Sequence, residues 1–281
     1  MMRGLTWRDL WRQIVRNPLS LAGLSIITLL IVVAIFAPYI APHDPYATDP
    51  LNKLVPPGRE HILGSDGLGR DVLSRILYGT KISLWIAVLI VLTAGVFGTA
   101  VGIVAGFFGG FVDNILMRIT DIFMAFPRLI LAMAIAAALG PSLTNVVIAI
   151  SFSAWTVFAR LARSRAIAIR EEDFVEAARA VGASNLRIVV VHILPMALSP
   201  VIIQATLSMG GIILTAAGLG FLGFGAQPPT PEWGVMVSEG RTFMPHGWWV
   251  STFPGLAIMI TVLGFNLLGD GIRDILDPRM R

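Results

Sequence analysis

The chain has 281 residues, 56% of them hydrophobic and only 14% charged, whereas a soluble domain of ordinary composition carries about 25% charge. Five stretches hold no charge at all (17–43, 82–112, 129–159, 188–231 and 242–269), and a bilayer-crossing helix needs about 20 apolar residues, so a water-facing fold is excluded. Cysteine is absent, which removes disulfide frameworks, thiolate metal sites and cysteine nucleophiles.

The basic tail with Arg3, Arg8, Arg12 and Arg16 leads into a first apolar run from Leu19 to about Ile40. A cleavable leader has an apolar stretch of only about 7–15 residues, so this run reads as a retained helix. The following loop, Ala41 to Thr80, is rich in Pro, Gly and Asp. Its segment Asp66-Gly67-Leu68-Gly69-Arg70-Asp71 imitates a calcium loop but lacks the closing Glu at the twelfth position, and reads instead as an ordered cap on the outer side. A second helix is predicted from Lys81 to Gly106. Its Gly98, Gly102 and Gly106 share one face, which suits close helix packing or the border of a substrate path.

Gly140 to Asn145 is a turn signal inside the next uncharged run, so that run is divided into a third helix from about Asn114 and a fourth ending near Arg163. Asp121 and Arg128 fall in the third. Seven residues make nearly two turns, placing them on one face about 10 Å apart, with Pro127 as a kink between them. An ionisable group inside a membrane helix is a functional candidate. Either Arg118 neutralises Asp121 from the preceding turn, or Arg128 faces the translocation path and holds a substrate carboxylate.

Residues 171–195 read as helix, turn, helix. Acidic Glu171, Glu172 and Asp173 suit a helix N-terminus, and Asp173 with Glu176 has capping-box spacing. Phe174, Ala177, Ala178 and Val181 form an apolar stripe, small residues permit close approach, and Gly182 ends the helix in a left-handed cap. Ser184 caps a second helix, which Pro195 is expected to stop. An amphipathic helix lying on the membrane and a docking element for another protein both fit this pattern.

A fifth helix is predicted over Ala197–Gly220 and a sixth over Trp249–Gly269. The string Gly218-Leu219-Gly220-Phe221-Leu222-Gly223 has the letters of a dinucleotide fingerprint but ends a membrane helix, not a strand, so it reads as small-residue packing. Trp233, Trp248 and Trp249 suit an interfacial belt. Six spans put both termini on one side, and the Lys and Arg residues divide 14 to 6 in favour of that side, so both termini are expected in the cytoplasm. The surplus of cations, net +4, is then an orientation signal, and no nucleic-acid partner is expected.

The four histidines show no ligand spacing and are read as lying on different loops, so no metal site is expected. The two lysines, Lys53 and Lys81, do not follow glycine, which rules out a Walker-type phosphate loop. GxSxG and HExxH are also missing, and no catalytic residue or bound cofactor is assigned.

Glu176-Ala177-Ala178, Gly182 and Leu194-Pro195 resemble the EAA motif of ATP-binding-cassette (ABC) importer permeases, with His192 where that motif often has isoleucine. Arg16 to Leu19, Phe36 to Pro42, Leu63 to Arg75, Gly225 to Gly234, Asn266 to Asp274 and Leu276-Asp277-Pro278 are similar to the dipeptide/oligopeptide branch, C-type subunit. The resemblance covers nearly the whole chain. It implies an all-α polytopic inner-membrane protein of six transmembrane helices with a type I importer core. In that reading residues 1–80 hold the tail, first helix and outer loop, 81–270 the five-helix core with its coupling loop at 164–195, and 271–281 a cytoplasmic tail. It further implies coupling to ATPases through Asp173, Glu176, Ala177, Ala178, Gly182, Leu194 and Pro195. The implied partners are a second, homologous permease chain, two ABC ATPase chains that bind the ATP and Mg, and an extracytoplasmic substrate-binding protein. Implied cargo is dipeptides or oligopeptides moved by alternating access, with glutathione, nickel complexes or sugars as the substrates of related systems. A self-contained secondary transporter is the more distant alternative, disfavoured by the scarcity of buried acids.

Overall fold

A computed structural model describes residues 17–276, and within these the chain is helical apart from its loops and one isolated bridge, Ser65 to Asp71. The arginines of the basic tail up to Arg16, the Asp277-Pro278 pair, Arg279 and Arg281 lie outside the described residues. Helix α1 is Pro18–Ile40, α2 Val72–Phe108, α3 Gly110–Ala125, α4 Arg128–Leu139 and α5 Leu143–Arg170. Short helices α6 (Asp173–Ala180) and α7 (Asn185–Ile188) follow, then a π-helical turn (Val189–Ile193), α8 (Leu194–Phe221), α9 (Trp233–Gly240) and α10 (Trp249–Leu276).

Five helices are long and apolar enough to cross a membrane: Pro18–Ile40, Val72–Phe108, Leu143–Arg170, Asn185–Phe221 and Trp249–Asp274. The pair Gly110–Ala125 and Arg128–Leu139 passes the same test only together and makes a sixth, broken candidate. Helices α3 and α4 meet at 90°, with Phe126 extended at φ −89°, ψ 139°. Pro127 is the cause: its ring forces the preceding residue out of the helical region, and it offers no N–H to continue the ladder. Asp121 and Arg128 therefore do not share a helix face as expected. The first stands near the end of α3, and the second opens α4.

Two other boundaries differ from the sequence reading. Helix α2 starts at Val72 instead of near Lys81 because Asp71 supplies an N-terminal cap, its Oδ2 accepting from the Ser74 N–H at 2.8 Å. Pro195 does not stop a helix. Together with the π-turn just before it, which absorbs the missing hydrogen bond, it is carried within one span running to Phe221.

The described residues form two compact units, one from residues 17–88, 136–147 and 206–276, the other from 89–135 and 148–205. In the first, α1 lies on α10. A Cβ on Gly264 would strike Ile26, and Ser20 is seated against Gly271. Indole donors tie the loop after α1 and the start of α2 into this unit: the Trp249 Nε1–H donates to Ser65 O and the Trp233 Nε1–H to Ile76 O. Trp233 and Trp249 are thus buried inside the protein, correcting the belt reading; only Trp248 of the three is exposed.

In the second unit, residues 89–108 of α2 pack on α5. Gly98, Gly102 and Gly106 press against the backbone of Trp155, Ala159 and Arg163, with no room for a side chain. That face is filled by a helix and does not border a substrate path. Ile103, Phe107, Trp155 and Phe158 complete the core with Ala159, Ala162 and Ala166.

Candidate docking site

The segment joining α5 to α8 carries the motif residues, and the whole of it lies in the second unit. Helix α6 begins at Asp173 with Glu172 as its N-cap, and Glu172 makes no side-chain capping bond. The expected capping box is therefore absent; Asp173 and Glu176 lie in the first turn, where negative charge is favourable. At the other end Gly182 adopts φ +82°. Its N–H donates to Arg179 O at 2.9 Å and the Ala183 N–H to Ala178 O at 3.0 Å, the paired bonds of a glycine-ended helix. Ser184 then caps α7, its Oγ accepting from the Arg187 N–H at 3.3 Å.

A side chain outside the apolar stripe anchors this element. Val175, missed by the stripe reading, is fully buried and joins Ile188, Ile193, Ala166 and Ile169 in the core. Ala178 and Leu194 pack partly against that cluster. Glu176, Ala177, Gly182 and Pro195 are exposed, Val181 is 85% and Leu186 73% exposed. No periodicity distinguishes Val175 from Phe174, because the buried contact comes from residues distant in the chain. The result is a helix anchored through Val175 that presents small Ala177 on its exposed side, flanked by the carboxylates of Asp173 and Glu176.

Arginines fix the surrounding helices. Arg163 makes two bonds to Asp113 through Nε (2.5 Å) and Nη2 (2.6 Å). Arg170 donates to the carbonyls of Gly106 and Phe107 at the end of α2 and pairs with Glu171. Arg179 lies over the Phe107 ring at 5.7 Å. Asp121 pairs with Arg160 at 2.6 Å, not with Arg118 as expected. Arg128 is exposed and has no carboxylate partner among the described residues.

The loop of residues 41–71 and the connection after α8 hold a second charged cluster. Asp66 pairs with Arg70 (2.6 Å), and Glu239 with Arg70 (2.9 Å) and the fully buried Arg75 (3.3 Å). Glu232 caps α9, its oxygens accepting from the N–H groups of Gly234 and Val235. Burial pushes its pKa up to about 7, against the opposing pull of those two backbone donors. Two histidines expected to lie apart are neighbours: His61 Nδ1 is 2.9 Å and His43 Nδ1 3.6 Å from Asp71 Oδ1. Both belong to one loop, which folds back on the start of α2.

Residues 98–281 match the family described as binding-protein-dependent transport system inner membrane component, and residues 6–57 match the N-terminal TM domain of oligopeptide transport permease C. The chain belongs to the former family: it is a multi-pass inner-membrane permease of an ABC importer. It is 49% identical to the dipeptide transport system permease protein DppC of Alkalihalophilus pseudofirmus, covering 98% of this chain and 90% of that protein. It is 46% identical to the probable D,D-dipeptide transport system permease protein DdpC of Escherichia coli (94% and 88%). To the glutathione transport system permease protein GsiD of Pectobacterium atrosepticum it is 43% identical (98% and 92%). Among solved structures it is similar to an inward-facing form of the MetNI methionine ABC transporter, with a TM-score of 0.58 at 20% identity. That likeness covers 73% of this chain and 98% of the other, and it shows the fold.

Proposed function

We propose that this permease carries short peptides into the cell, pairing with a second, homologous permease chain, with two ABC ATPases on its cytoplasmic side and with an extracytoplasmic binding protein. The observation that carries this reading is the anchored α6 helix with its exposed face of Glu176, Ala177 and Val181. Such a helix suits a groove on an ATPase: small residues admit close contact, and Glu176 gives one charge-assisted anchor. ATP binding brings the two ATPases together and moves α6, opening the permease outward; hydrolysis and release return it. A ligand shifts such an equilibrium only through its differential affinity for the two states. No ATP-binding or catalytic residue is assigned to this chain.

Both termini, and α6, are assigned to the cytoplasm by the arginine asymmetry. The loop of residues 41–71 and α9 are assigned to the outer side. Peptide cargo is supported by the dipeptide names of the relatives at 49% and 46% identity. The relative named for glutathione, itself a tripeptide, keeps that molecule within the same substrate class.

The test is Glu176→Lys in the reconstituted transporter. Transport and substrate-stimulated ATP hydrolysis are lost, while the chain still assembles in the membrane and the binding protein still docks. Wild-type transport by this variant refutes the coupling role.

A further inference from the structure

We propose that His43, His61 and Asp71 form a binding site for a divalent transition-metal ion of the zinc or nickel type. One ligand atom from each residue lies within 4.8 Å of the others. Two imidazoles and one carboxylate are a donor set that suits Zn²⁺, Ni²⁺ and Co²⁺ better than Mg²⁺ or Ca²⁺. A tetrahedral ion held at about 2.0–2.2 Å places its ligand atoms about 3.4 Å apart. The separations to Asp71 Oδ1, 2.9 Å from His61 and 3.6 Å from His43, bracket that distance.

A simple His61–Asp71 hydrogen bond explains the first separation but not the second ring. At 3.6 Å His43 Nδ1 makes no hydrogen bond to the carboxylate, yet its ring centroid is 4.9 Å from that of His61. The backbone holds it there, since the His43 N–H donates to Ser74 Oγ at 3.0 Å. Ser74 also fixes the carboxylate: its N–H and Oγ donate to Asp71 Oδ2 at 2.8 and 2.7 Å, leaving Oδ1 turned toward both imidazoles. Such outer contacts orient ligands in metal sites. His61 and Asp71 are buried, while the His43 side chain is 42% exposed. A cavity of about 390 Å³ lined by Pro42, His43, Asp44, Tyr46 and Tyr78 opens beside it. The cavity gives the ion an entry route from the His43 side. Bound there, it ties the segment just after α1 to the first residue before α2.

The site is tested on the full-length chain, purified in detergent without an oligohistidine tag and stripped with chelator. Calorimetric titration with ZnCl₂, and separately NiCl₂, is expected to show one saturable site per chain. His43→Ala should weaken it at least about tenfold. X-ray absorption of the zinc-loaded chain should show imidazole scattering in the first coordination sphere. His43 is half-exposed, so its replacement leaves the fold intact; circular dichroism and gel filtration verify this. Absence of saturable binding, or equal affinity in wild type and His43→Ala, overturns the proposal. None of these readouts depends on transport.

Discussion

Glu232 is a carboxyl group with 4% exposure whose two oxygens each accept from a backbone N–H. Its raised pKa, from 4.5 to about 7, has a definite sign for stability. The folded state holds the proton more tightly than the unfolded chain, so this contribution is fully present below about pH 4.5. It is lost as pH rises through about 7, a change of up to about 3 kcal/mol. Glu232→Gln keeps a cap acceptor without the titration. Thermal unfolding of the variant should accordingly be flatter between pH 5 and 8 than that of the wild type. Arg128 offers a second test at this scale. Without a carboxylate partner among the described residues, it stands at the break between α3 and α4, where a charge is costly unless water or a ligand meets it. Arg128→Met is expected to lower uptake severalfold with assembly unchanged; unchanged uptake removes it from the path.

At the scale of elements, α6 separates two roles that its sequence runs together. Val175 seats α6 on the core and Glu176 points away from it. Val175→Asp buries an uncompensated carboxylate at a cost of roughly 3 kcal/mol, so α6 should detach. Limited proteolysis should then cut between residues 171 and 184 in the variant before the wild type, whereas Glu176→Lys should leave the cleavage pattern unchanged. The cap at Gly182 and the Ser184 turn were legible in the sequence because each depends on neighbours within a few residues. Proline 127 was legible as a kink, but the 90° turn was not, since its size depends on what α3 and α4 pack against. The Arg163–Asp113 and Arg160–Asp121 pairs join residues 50 and 39 positions apart, and no local pattern announces them. The same holds for His43, His61 and Asp71, whose meeting required the loop to fold.

For the whole molecule, the apolar runs foretold five spans by hydrophobic length alone, while the sixth rests on counting the bent α3–α4 pair as one. Two boundaries were displaced where charges find partners: buried Arg75 with Glu239 near the start of α2, and Arg170 with the exposed Glu171 at the end of α5. Orientation is open to direct measurement, because the chain has no cysteine of its own. Lys53→Cys should react with a membrane-impermeant maleimide applied to intact cells or spheroplasts. Arg187→Cys should react only after permeabilisation. The reverse pattern would invert the assigned topology.

Val181 and Leu186 stand almost bare at the ends of the α6–α7 turn. On the cytoplasmic side proposed for α6, an isolated chain would turn this greasy knob to water, the kind of surface that membrane proteases and chaperones grip. Synthesis of the permease ahead of its motor would thus mark the surplus copies for disposal, and docking would mask the mark. If the proposed docking covers these two side chains, they would also keep the subunits in stoichiometric balance.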